Sequence, residues 1–186
     1  MAVKTMAKNT GTGQYNAGWH ELTISKAVDG KWGDKRTIDL NFEGYPDNMR
    51  HRVFEASNKT TGEEFKIANL FRFACAGIIS VLQDPTGKNP VIQYDDEVTN
   101  LVGTRVNVLF VKEASTTDGK EYSRTFDLVP VAQETEHITW TDDDVARLKN
   151  GVEKQYAKKN ATTTNGVGTA HLDTTTTVTG DADIPF

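Results

Sequence analysis

Residues 19–44 read WHELTISKAVDGKWGDKRTIDLNFEG, and their apolar residues recur with the period of a strand. Leu22 and Ile24 alternate with Glu21, Thr23 and Ser25, the two-residue repeat of a half-buried strand over 19–28. Trp19 is out of phase with that pair and turns to the other face. A stricter alternation runs over 36–44, with Ile38, Leu40 and Phe42 pointing inward. Between them DGKWGDK (29–35) is polar and contains glycine, a turn of hairpin type. The stretch predicts two antiparallel strands with one buried and one wet face.

Beyond this stretch, YPDN (45–48) signals a turn and MRHRVFEA (49–56) a third strand, less clean in phase. The period then changes. Over 63–82 Phe65, Leu70, Phe73, Ala74, Gly77, Ile78 and Val81 fall near helical spacing, and Glu63 and Glu64 favour the N-terminus of a long buried helix. QDPTGKNP (83–90) ends it, and 91–103 reads as either a turn or a short helix. TRVNVLFVKEA (104–114) and EYSRTFDLVPVA (121–132) form a last strand pair around an Asp-Gly turn, with Pro130 suited to an edge. A second helix is expected over 139–160, with Thr141 as its N-cap and Asp144 completing a capping box. Val145, Leu148, Val152 and Tyr156 line one side of it, which either covers the sheet or pairs two copies into a homodimer. Residues 1–16 read as a loose arm and 161–186 as a disordered tail. The domain proper is 17–138.

Composition narrows the function. Of 186 residues 37% are hydrophobic, low for a fully packed chain. No apolar run approaches the roughly 20 residues of a membrane span, and the N-terminus lacks the apolar core of a signal peptide. A cytoplasmic protein without membrane partners is expected. Cys75 is the single cysteine, read as helix core, so no internal disulfide or cysteine cage forms. The net charge is −5, yet residues 160–186 hold three aspartates and no Lys or Arg, leaving 21 basic and 23 acidic side chains in the body. Any basic groove must come from local clustering.

Three strands, a helix and two strands is the connectivity of an OB-like five-stranded β-barrel, which takes single-stranded nucleic acid or oligosaccharide on one face. The last residues, DADIPF, resemble the acidic Ile-Pro-Phe tip of bacterial single-stranded DNA-binding proteins, matching at Asp181, Asp183, Ile184, Pro185 and Phe186, with Ala182 interrupting the acids. The body is more similar to phage-encoded single-stranded DNA-binding proteins, through the hairpin GWHELTISKAVDGKWGDKRTIDLNFEG and the following F…L.RF…AG segment. The resemblance implies a role in DNA replication, recombination and repair, in the host cytoplasm. It implies that the tail recruits replication or repair proteins and competes with DNA for the groove. Phe186 would enter a partner's apolar pocket while the acids steer it.

A single-strand site needs cations along phosphates and aromatic faces for bases. Trp32, in its polar turn beside Lys31, Lys35 and Arg36, either stacks on bases or plugs the barrel end. Trp19 is a second outward candidate. Arg50, Arg52 and Phe54 share a face of the third strand, meeting phosphate or guarding an edge. Arg105 and Lys112 lie on the fourth strand; Tyr122 and Arg124 share a face of the fifth, where Phe126 and Leu128 could draw Tyr122 into the core. Tyr15 either clamps a strand or is tethered.

Catalytic readings are weaker. The four histidines lack ligand spacing, no phosphate or nucleophile motif occurs, and no cofactor is expected. The acid runs 95–97 and 142–144 allow a carboxylate nuclease, but turn and cap roles explain them. The rival class is a structural or assembly protein using the barrel as scaffold.

Overall fold

The computed structural model describes residues 15–82, 90–115 and 117–164. Residues 1–14 of the arm, most of the expected 83–90 turn, and 165–186 with the DADIPF tip lie outside them. The elements run β1 (Gly18–Trp32), β2 (Lys35–Phe42), β3 (His51–Phe54), α1 (Lys66–Ala74), β4 (Ile78–Leu82), β5 (Val91–Tyr94), a 3₁₀ turn (Val98–Leu101), β6 (Arg105–Ala114), β7 (Glu121–Pro130), β8 (Gln133–Glu134), β9 (Thr139–Trp140) and α2 (Asp142–Thr164).

The chain is mainly β, with two helices and one five-stranded antiparallel sheet in the order β3-β2-β1-β6-β7. β1 serves both halves of that sheet. Gly18–Thr23 pair with β6, while Ile24–Trp32 pair with β2. A bulge between Ile24 and Lys26 lies where the partners change. The alternation read from the sequence holds, since Ile24, Ile38 and Leu40 are fully buried and Leu22 and Phe42 nearly so. The turn is shorter than expected. Asp29–Trp32 continue the ladder, and only Gly33 and Asp34 connect the strands, Gly33 at φ 59°. Trp32 is therefore the last residue of a strand rather than part of a loop.

The sheet is curled but does not close, contrary to the expected barrel. Among the described residues β3 and β7 stay the unpaired edges of this sheet, and between them the Thr125 hydroxyl of β7 donates to the carbonyl of Arg50, just before β3, at 3.2 Å. Helix α1 packs against β3, β6 and β7, burying Ile67, Leu70, Phe71 and Ala74. Pro130 does end an edge strand, and its carbonyl accepts a 2.7 Å bond from the buried Asn107 amide.

The long helix expected over 63–82 is half helix and half strand. Glu64 does favour its start, its carboxylate accepting from the amides of Ile67 and Ala68 at 2.8 and 3.0 Å. Cys75 ends it in the left-handed region at φ 50°, so the thiol is half-buried at a helix terminus instead of filling helix core. Gly77, at φ 62°, then receives the backbone of the β5 end so closely that a Cβ would sit 2.3 Å from the Asp95 carbonyl. The β-branched run Ile78, Ile79 and Val81 becomes β4, pairing with β5 in the segment that read as turn or helix. The second helix starts at Asp142 and continues past Asn160 to Thr164, while Thr139 and Trp140 pair with β8. The capping box forms: the Asp144 amide donates to Thr141 Oγ1 at 3.2 Å, and Asp144 Oδ2 accepts back from that hydroxyl at 2.7 Å. No helix among the described residues is long and apolar enough to cross a membrane.

Two glycines should respond oppositely to alanine. At Gly151, where a Cβ meets nothing within 4 Å, Ala should raise stability by about 1 kcal/mol. At Gly77 it should lower it by roughly 1–3 kcal/mol, because neither the φ nor the Asp95 backbone can yield. Urea unfolding measures both. A pH effect follows from His51, which burial holds down at about 4, with Lys66 adding to the effect and Asp127 and Asp39 opposing it. The folded ring stays neutral where the unfolded ring, near 6.5, gains a proton. Stability is thus complete above pH 6.5 and should fall by about 2–3 kcal/mol as pH approaches 4. Urea unfolding across that range should show His51→Gln removing this component of the slope.

Candidate nucleic-acid interface

The bulge sets which side chains share a surface. Before it, even-numbered residues of β1 point inward; after it Ala27 does, and Lys26, Val28, Gly30 and Trp32 turn out. Registers across the ribbon place these with partners in rows. Gly30 lies opposite Thr37, which lies opposite Phe54. One step along, Val28, Asp39 and Arg52 form a row, and beyond it Lys26 faces Asn41, with Arg50 just before β3. Rows two residues apart are separated by about 7 Å. Trp32 and Lys35 close the tip.

This outer face is partly apolar and partly cationic. Trp32 is 66% exposed, and Phe54 and Val28 are 42% exposed. The Arg52 guanidinium lies 5.9 Å from the Trp32 ring centroid, a contact worth about 0.5–1 kcal/mol at an exposed site. Lys26, Lys35, Arg50 and Arg52 supply positive charge, and Asp39 and Asp47 oppose it. Asp39 accepts from Arg52 Nε and Nη2 at 2.6 and 2.7 Å and lies 3.5 Å from Arg50 Nε. The Arg52 hydrogen bonds hold the Asp39 carboxyl below its ordinary range against the opposing effect of burial. Lys26, Val28, Asp39, Asn41, Asp47 and Arg50 surround a shallow depression of about 210 Å³.

The structure brings Trp32, Lys35, Arg50, Arg52 and Phe54 onto this face and places the other expected residues elsewhere. Trp19 does point outward, but α2 covers it: its Nε1 donates to Glu153 at 2.7 Å, and Lys149 Nζ lies 5.4 Å from its ring. Lys31 and Arg36 fall on the opposite side of the hairpin. Arg36 grips Asp29 through Nε and Nη2, at 3.0 and 2.8 Å, and also holds Asp96 beyond β5. The Asp29 carboxyl is held low by the Arg36 hydrogen bonds. Arg36 thus fastens the β1–β2 hairpin to its neighbour. Arg105 pairs with Glu21 at 2.6 Å. Lys112 lines a separate groove of about 380 Å³ beside α2, with Leu109, Val111, Glu153 and Tyr156.

Tyr122 is exposed, because a bulge between Val108 and Phe110 turns Phe126 outward under Tyr156 and Leu128 inward. Its hydroxyl donates to Asp118 at 2.6 Å, and Arg124 pairs with Glu113 at 2.6 Å. Tyr15 is tethered: its amide donates to the Ser123 hydroxyl at 2.8 Å, and its ring lies 4.9 Å from Tyr45. The sequence reading missed Lys26 and Val28. They repeat the two-residue phase of Trp32, but only after the bulge is known.

Among the described residues no group of three or more His, Cys, Asp or Glu side chains is arranged to hold a metal ion. The 95–97 acids serve the turn and Arg36, where Asp95 Oδ1 accepts from the Glu97 amide at 3.1 Å. A scan against protein-family models finds no match to this chain, and a search of curated proteins finds none either.

The Arg36 clamp makes a prediction that needs no ligand. Arg36→Gln should leave global stability within about 1 kcal/mol, since surface ion pairs contribute little. Amide hydrogen exchange at Gly30, Trp32 and Lys35 should nevertheless rise several-fold as the hairpin tip loosens.

Proposed function

We propose that this protein binds single-stranded DNA across the outer face of β1, β2 and β3, without sequence preference and without chemistry. The observation that carries the reading is the coincidence of exposed Trp32, Phe54 and Val28 with Lys26, Lys35, Arg50 and Arg52 on one surface. Aromatic faces accept any base, and cations follow the phosphates. The flat floor supports it. A Cβ at Gly30 would press on the Thr37 hydroxyl at 3.1 Å, so this position stays bare between the larger groups.

Connectivity adds a second support. Setting aside the β4–β5 hairpin, the large sheet keeps the expected sequence of three strands, a helix and two strands, and in an OB-like barrel the second and third strands and the first hairpin carry oligonucleotides. Those elements here are β2, β3 and the β1–β2 tip. On the resemblance of residues 181–186 to bacterial tails, we assign that segment to recruiting replication or repair proteins. The protein would then protect strands exposed during replication, recombination and repair in a phage-infected cell.

One observation favours a scaffold instead. The β4–β5 hairpin exposes Ile79, Leu82 and Val91, with Ile79 62% accessible, a surface suited to assembly.

Titration with oligo(dT) separates the two. Binding should quench tryptophan fluorescence and weaken with salt at a log–log slope near −0.7 per phosphate contact. Trp32→Ala should cost about 1–3 kcal/mol of affinity for a stacked base, and Trp32→Phe should remove most of the quench. Equal affinity for duplex, or no change in fluorescence, would favour the scaffold. Deleting 181–186 should leave binding intact or stronger.

A further inference from the structure

We propose that Asp39 is a built-in competitor for the phosphate backbone, a carboxylate that a bound strand must displace from Arg50 and Arg52. This rests on the reading of the β1–β3 outer face as a single-strand platform. A carboxylate and a phosphate present similar paired oxygens to a guanidinium fork. Asp39 uses that geometry on Arg52, at 2.6 and 2.7 Å, and its second oxygen also lies 3.5 Å from Arg50 Nε. One acid therefore occupies two of the four cations of the face. It does so from the middle strand, opposite Val28 on one side and Arg52 on the other. Its side chain is only 18% exposed, whereas that of Arg50 is 52% exposed and remains reachable by a phosphate.

The arrangement has two consequences. Without DNA, Asp39 holds Arg52 with its guanidinium 5.9 Å from the Trp32 ring centroid, so the stacking ring and the cation are already side by side. With DNA, Arg50 and then Arg52 exchange the carboxylate for phosphate oxygens. The two guanidiniums are then available only where phosphate oxygens replace the carboxylate. Non-specific attraction of anions is lower than four cations would otherwise give, and dissociation is faster because the carboxylate is tethered at the site it left.

The test compares Asp39→Asn with Asp47→Asn, using the full chain and oligo(dT) over a range of salt concentrations. Asp47 lines the same depression but is absent from these ion pairs. Both variants remove one negative charge from the face, and only the first frees the arginines. Asp39→Asn should tighten binding about three- to tenfold, slow dissociation, and steepen the salt slope by about 0.7. Asp47→Asn should change affinity less than twofold and leave the slope alone. Asp39→Thr, a strand-favouring replacement, should repeat the gain, with circular dichroism melts checking the fold of each. If wild type binds oligo(dT) and Asp39→Asn binds no better, or no better than Asp47→Asn, the competitor role is overturned and Asp39 only positions Arg52. If wild type does not bind at all, the platform reading fails and takes this role with it.

Discussion

One extra residue in β1, between Ile24 and Lys26, is the constraint on which the rest of the sheet depends. A strand side chain changes face at every step, so one inserted residue inverts every assignment after it. Ile24 and Ala27 both contact the core although three positions apart. The first half of β1 pairs with β6 and the second with β2, so the strand serves two neighbours and the sheet curls around α1. The curl brings Arg50 within reach of Thr125 on the far edge. Without the bulge, Val28 and Trp32 would fall on the core face, and Asp29 and Lys31 would turn outward. Both the core and the proposed platform are products of that insertion.

Electrostatics follows the same economy. The body carries almost balanced charge, and the structure resolves it into local pairs: Arg36 with Asp29 and Asp96, Arg50 and Arg52 with Asp39, Arg105 with Glu21, Arg124 with Glu113. Exposed pairs of this kind contribute little stability. Their effect is on availability, because a paired arginine meets an anion by exchange. Arg36 is the exception in role: clasped by two acids on the inner side of the hairpin, it fixes the direction in which the tip projects.

Most of the sheet was legible in one dimension. Ile38, Leu40 and Phe42 alternate cleanly because β2 is half-buried along its whole length, and Pro130 marked an edge because it lacks an amide. The Thr141–Asp144 cap was legible because capping is a contact over three residues. The boundary of α1 was not. Phe65 to Val81 fits helical spacing, and the break depends on Gly77 meeting the Asp95 backbone, eighteen residues away in sequence. The site was half legible. Arg50, Arg52 and Phe54 share a face by simple alternation, whereas Arg36 looked like a phosphate ligand because its partner Asp96 lies sixty residues away.

The amino-acid order alone carried the periodic features: the five strands of the large sheet, which side chains of β2 are buried, how α2 begins, and that a Trp stands among cations near a hairpin tip. These depend on neighbours within a few residues, where propensity and alternation act. Long-range contacts set the rest: that the sheet stays open, that α2 covers Trp19, that β4 replaces half a helix, and that Asp39 holds Arg50 and Arg52. Each of these is set by contact between segments distant in the chain, and a one-residue bulge was enough to reassign the faces between them.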